Sequence, residues 1–149
     1  MLKSTYKKLV SEKHRIDIRL RVNKLTSVFY LGNRYYCNCC NRSFRKFLPK
    51  GNERRENAKC PYCGSLERTR LLLFYLKNET EIFQRQNLKL LHFAPEQPLF
   101  DILKKLNIEY VDGDINPSFA RSIIDITAIP YPENYFDFII CAHVLGHVP

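Results

Sequence analysis

Cys37-Asn38-Cys39-Cys40 and Cys60-Pro61-Tyr62-Cys63 form two C-x2-C turns separated by 19 residues, and no other feature restricts the chain so strongly. Each turn aims two thiolates at one point, and four soft ligands meeting there suit a tetrahedral zinc ion with no open position. The expected metal ligands are therefore Cys37, Cys40, Cys60 and Cys63, in a structural rather than a catalytic role. An iron–sulfur cluster uses the same four-thiolate set. Cys39 competes with Cys40 for register, but the two-residue spacing favours pairing Cys37 with Cys40. Gly64 follows the second pair directly and permits the left-handed turn that closes such a knuckle.

Paired cysteines favour metal over disulfides where thiols stay reduced. The N-terminus MLKSTYKKLVSEKHR has no apolar signal core, and no run of 18 or more apolar residues follows. The expectation is a cytoplasmic protein with no membrane span. Cys141, on a predicted strand, reads as a small buried hydrophobe.

The charge is uneven. Residues 1–76 carry 18 Lys+Arg against 5 Asp+Glu, whereas 77–149 carry 6 against 10. Such a shift predicts two units, the basic one suited to an anionic partner such as nucleic acid, a phosphorylated glycan or a membrane surface. Residues 1–33, with Leu9, Ile16 and Leu20 among Lys and Arg, predict a basic helical segment. In the ribbon, 34–65, Tyr35, Tyr36, Phe44 and Phe47 alternate with Arg34, Arg42, Arg45 and Lys46. These aromatics either stack on bases while the cations hold phosphates, or form the miniature core of the ribbon.

Ser65 and Glu67 mark a helix start, predicting a helix over 66–77 with Ser65 accepting from an early N–H. The pattern then changes. Leu88–Phe93 reads as a strand buried on both faces. Leu99, Ile102, Leu103 and Leu106 line one face of a helix, and strands are predicted at Ile108–Val111, Ser122–Ile124 and Phe136–Ala142. Strand–helix–strand at this spacing implies an α/β fold with a parallel sheet. Ligands of such sheets bind beyond the carboxyl ends of the strands. Asp114, ending the second strand, is placed to accept from ribose hydroxyls, and Asp125 to hold an adenine amino group.

Taken together, Tyr35-Tyr36-Cys37-x2-Cys40, Arg45-Lys46-Phe47-Leu48-Pro49, Cys60-Pro-Tyr-Cys-Gly-Ser-Leu-Glu-Arg68, Leu90-Leu-His-Phe-Ala-Pro-Glu96, Tyr110-Val-Asp-Gly-Asp114, Asp125-Ile-Thr-Ala-Ile-Pro130, Phe136-Asp-Phe-Ile-Ile140 and His143-Val-Leu-Gly-His147 resemble a zinc-ribbon-bearing, type 11-like family of class I S-adenosylmethionine-dependent methyltransferases. The resemblance implies the first half of a Rossmann-like methyltransferase sheet, about four strands over 66–149, after the basic segment and the ribbon. It implies S-adenosylmethionine and structural zinc as cofactors, and a methyl acceptor that is a small molecule, a glycan or a macromolecule. Ala94, Pro95 and Glu96 would form the loop facing the methionine end, with Ala94 and Glu96 where the fold usually has glycines. Asp114 would bind ribose, Asp125 and Ile126 would flank adenine, and Ala142 and His143 would line the pocket beyond strand 4. The fold normally has seven strands, so the expectation is a C-terminally incomplete enzyme whose fourth strand is an exposed edge. The alternative is a non-catalytic zinc-ribbon module that grips nucleic acid.

Overall fold

A computed structural model describes residues 12–148; Leu9, expected in the basic helix, lies outside them. The protein is mixed α/β and divides into two compact units, Met1–Phe74 and Tyr75–Pro149. Among the described residues no helix is long and apolar enough to cross a membrane.

The first unit begins with α1 (Glu12–Thr26) and a 3-10 turn (Ser27–Tyr30). Hydroxyls end this helix: Thr26 Oγ1 donates to Val22 O at 2.9 Å and Ser27 Oγ to Lys24 O at 2.7 Å. The Ser27 bond serves a carbonyl of the last turn that lacks an intrahelical partner, and the Thr26 bond is the local back-bond of a helical threonine. Two antiparallel hairpins follow, β1 (Leu31–Cys37) with β2 (Arg42–Phe44), and β3 (Leu48–Lys50) with β4 (Arg55–Lys59). Asn41 takes φ 53° in the first connection and Gly51 φ 94° in the second. Such turns need left-handed backbone, which Asn and Gly accept at least cost. The first strand of this hairpin pair thus starts at Leu31.

Phe44, Phe47, Cys37 and Cys60 form the buried centre of this unit, with Tyr35 packed on Phe47 at 5.5 Å between ring centroids. Phe44 and Phe47 are therefore core residues, and the base-stacking alternative is closed to them. The chain then enters α2 (Glu67–Asn78), one residue later at each end than its periodicity predicts. Arg70 on α2 lies over Phe47 at 4.5 Å and donates to Ala58 O and Ser65 O. Asn38 Nδ2 donates in return to Arg70 O at 2.8 Å, tying the first knuckle to the helix.

The second unit is built on a parallel sheet of β5 (Lys89–Phe93), β6 (Glu109–Asp114), β7 (Ser122–Ile123) and β8 (Phe138–Cys141), in the order β7-β6-β5-β8. Leu90, Leu91, His92 and Phe93 of β5 are all buried, the pattern of a central strand covered on both faces. Helix α3 (Gln97–Leu103) joins β5 to β6 and buries Leu99 and Leu103. Full burial of one such leucine favours folding by about 1.5–3 kcal/mol. α3 stops before Leu106, whose N–H instead bonds Leu103 O at 3.0 Å in a tight turn. β8 pairs with β5 alone among the described strands and leaves Ile139 exposed, as an edge strand does.

Candidate metal centre and cofactor pocket

The first knuckle follows β1 and the second follows β4. Gly64 N–H closes the latter on Cys60 O at 3.1 Å, with Gly64 at φ 75°. The two turns bring the Sγ atoms of Cys37, Cys40, Cys60 and Cys63 within 4.8 Å of one another. Cys37 Sγ lies 3.7 Å from Cys63 Sγ, and Cys40 Sγ 3.8 Å from Cys60 Sγ. A tetrahedron with zinc–sulfur bonds of about 2.3 Å has edges of about 3.8 Å, so the sulfurs fit a four-thiolate metal. Cys39 is outside the group, its Sγ facing Asn38 Oδ1.

The electrostatics agree. Hydrogen bonds from the Cys39 thiol first, then from Cys40, Cys60 and Cys63, hold Cys37 far below the ordinary thiol range. The same cluster pushes Cys40 and Cys60 far up, in each case chiefly through Cys37. Cys63 is lowered to about 7, with Cys37 opposing its ionisation and hydrogen bonds from Cys40 and Cys60 favouring it, and a cation among four thiolates would offset their mutual repulsion. A metal such as zinc would be held by all four, leaving no position for a substrate.

The Ser65 hydroxyl does not cap α2 as the sequence predicts. It lies 3.3 Å from Cys37 Sγ and 3.2 Å from Cys63 Sγ, fully inside the cluster. Thr69 takes over the local role, its Oγ1 accepting from Leu66 N at 3.3 Å.

In the second unit, a pocket of about 250 Å³ opens at the carboxyl ends of β5, β6 and β7. Phe93, Gly113, Ile124, Ile126 and Val144 make its apolar lining, and Asp114 and Asp125 also line it. Ala94, Asp114, Asp125 and Ile126 thus all line one pocket. Pro95, Glu96, Ala142 and His143 are not among the lining residues; Ala142 and His143 follow β8, and Pro95 and Glu96 precede α3. The sequence missed Gly113 and Ile124. A Cβ on Gly113 would meet Ile124 Cβ at 3.0 Å, so the glycine lets Ile124 close the pocket floor. The Gly113-Asp114 pair was the available signal.

Local turns fix both carboxylates. Asp114 Oδ1 accepts from Asn116 N at 2.8 Å, and Asp125 Oδ1 from Thr127 N at 2.8 Å and Thr127 Oγ1 at 2.7 Å. Those bonds hold Asp125 below the usual carboxylate range. In each case Oδ2 remains for a ligand. Ala94, at φ 44°, donates its N–H to Gly113 O at 2.9 Å, and His143 stands at φ 60° just past β8. Left-handed backbone on non-glycine residues costs on the order of 1–3 kcal/mol and concentrates at functional sites.

Beneath the sheet ends, His92 is buried with Nδ1 2.9 Å from Tyr110 Oη. Desolvation lowers its pKa to about 4, against the opposing pull of Asp112. Asp112, also buried, is paired with the Arg121 guanidinium and accepts from Arg121 N at 2.7 Å. This pair pins the segment between β6 and β7 and so positions Asp114.

No protein-family model matches the chain, and no curated protein or solved structure shows significant similarity to it.

Proposed function

We propose that the second unit is the S-adenosylmethionine-binding half of a methyltransferase and that the four cysteines hold a structural zinc ion. The observation that carries this reading is the largely apolar pocket lined by two aspartates at the carboxyl ends of parallel strands. The strand order supports it. The chain runs β5, β6, β7 in one direction and returns to the other side of β5 for β8. In open α/β sheets ligands bind where the order reverses, here between β5 and β8, and residues following both strands line the pocket.

Asp114 Oδ2 would accept hydrogen bonds from the ribose hydroxyls, and Asp125 with Ile126 would border the adenine. Ala94, Pro95 and Glu96 would face the methionine end, with Ala142 and His143 beyond β8. The cofactor supplies an electrophilic methyl carbon on its sulfonium. The task of the protein is then to hold that carbon in line with an acceptor and to keep water out, for which alignment counts more than a strong base.

Calorimetry with S-adenosylmethionine on zinc-loaded protein tests the reading. Micromolar binding, weakened about tenfold or more in Asp114→Ala through loss of charge-assisted hydrogen bonds, is the expected result. Absence of binding, or equal affinity in the variant, would remove its basis.

A further inference from the structure

Residues 18–52 contain eight Lys and Arg and no Asp or Glu. The fold gathers part of this run onto one hairpin. Tyr36 is exposed between half-buried Tyr35 and buried Cys37, and Arg34, also exposed, lies with its guanidinium over the Tyr35 ring at 5.5 Å beside the irregular pairing that precedes Tyr35. Ser43 of β2 stands opposite Tyr36. Arg45 crosses beside Gly32, where any Cβ would come within 2.8 Å of Arg45 Cβ and N. This close approach, possible only for glycine, lays Arg45 against the start of β1.

Tyr36 is 61% exposed, and its hydroxyl is held by Asn41 Oδ1 at 3.0 Å. That bond orients the ring without covering it. Arg34, Arg45 and Lys46 are exposed and have no carboxylate within 4.0 Å among the described residues. The Arg42 guanidinium lies over the Tyr62 ring at 4.2 Å, that of Arg34 over Tyr35 at 5.5 Å, and the Lys46 ammonium over Tyr30 at 5.9 Å. A four-thiolate zinc centre contributes about two negative charges, which leaves the cationic excess of the unit standing.

We propose that this hairpin face binds single-stranded nucleic acid, with Tyr36 stacking on a base and Arg34, Arg45 and Lys46 contacting phosphates. An oriented, uncovered aromatic ring in a unit rich in exposed cations without carboxylate partners is the arrangement that single strands exploit, because their bases offer a free face. Duplexes keep their bases stacked and give such a ring nothing to cover. The proposal is independent of the cofactor pocket.

The test is fluorescence anisotropy of the zinc-loaded full chain with a labelled oligouridylate or oligothymidylate of about 12 nucleotides, between about 50 and 200 mM salt. The expected result is log affinity falling linearly in log salt. Tyr36→Ala should weaken binding about 5- to 150-fold with little change of slope, while Tyr36→Phe retains it. Arg34→Ala and Arg45→Ala should each reduce the slope by about one. Zinc content equal to the parent shows that each variant keeps the ribbon. Should Tyr36→Ala lose zinc, Arg34→Glu carries the test, with binding abolished and zinc retained. Stronger binding to the RNA or to the DNA oligomer identifies the natural strand, and either supports the proposal. No binding at low salt overturns it, as does heparin binding with the same response to Tyr36→Ala. So does binding to anionic vesicles in place of the oligomers, which would instead use the exposed Ile18, Val22 and Leu25 of α1.

Discussion

The Ser65 hydroxyl sits 3.3 Å from Cys37 Sγ and bridges to Cys63, so one neutral side chain touches a ligand from each knuckle. An O–H donor on a thiolate lowers the cost of its charge and fixes its direction. Ser65→Ala should therefore bind zinc about 10- to 100-fold more weakly, measured by chelator competition. Unchanged affinity would mean that the hydroxyl only fills space.

The metal itself should prove necessary to the first unit. One zinc per chain is expected by mass spectrometry under native conditions. Cys60→Ala should lose it together with the ordered ribbon, because the buried centre there is only a few side chains around the thiols. Cys39→Ser should keep both the metal and the melting temperature, since Cys39 lies outside the four-sulfur group. Loss of zinc in Cys39→Ser would reassign the ligands.

His92 predicts a pH dependence. Burial lowers its pKa from 6.5 to about 4, so below pH 6.5 the unfolded chain takes up a proton that the folded chain refuses. Stability contributed by this group is complete above pH 6.5 and is lost as pH falls toward 4, by about 3 kcal/mol in all. Denaturant unfolding across this range should show the slope, and His92→Gln should reduce it. An equal slope in the variant would place the titration elsewhere.

Ala94 pays a conformational cost at φ 44°. Ala94→Gly should relieve that strain, offset in part by the greater freedom of glycine in the unfolded chain, for a net gain of up to about 1 kcal/mol. A thermal melt measures it. A lower melting temperature would show that the Ala94 methyl packs usefully.

Much of this protein is written locally in its sequence. The two cysteine turns, their 19-residue separation and the Gly64 closure specify a four-thiolate site, because each involves neighbours within a few residues. The apolar run at Leu88–Phe93, the α3 periodicity and the positions of Asp114 and Asp125 are likewise short-range signals, and they fall where the sheet and pocket put them. Tertiary structure decided the rest. Ser65 turned from the helix to the sulfurs, Phe44 and Phe47 were buried while Tyr36 was left uncovered, and Cys39 was set aside. Gly113 became the seat of Ile124, and β8 joined β5 across 44 intervening residues. Periodicity and turn chemistry say which face a residue occupies on its own element. What lies against that face depends on segments distant in the chain, and only the folded packing brings them together.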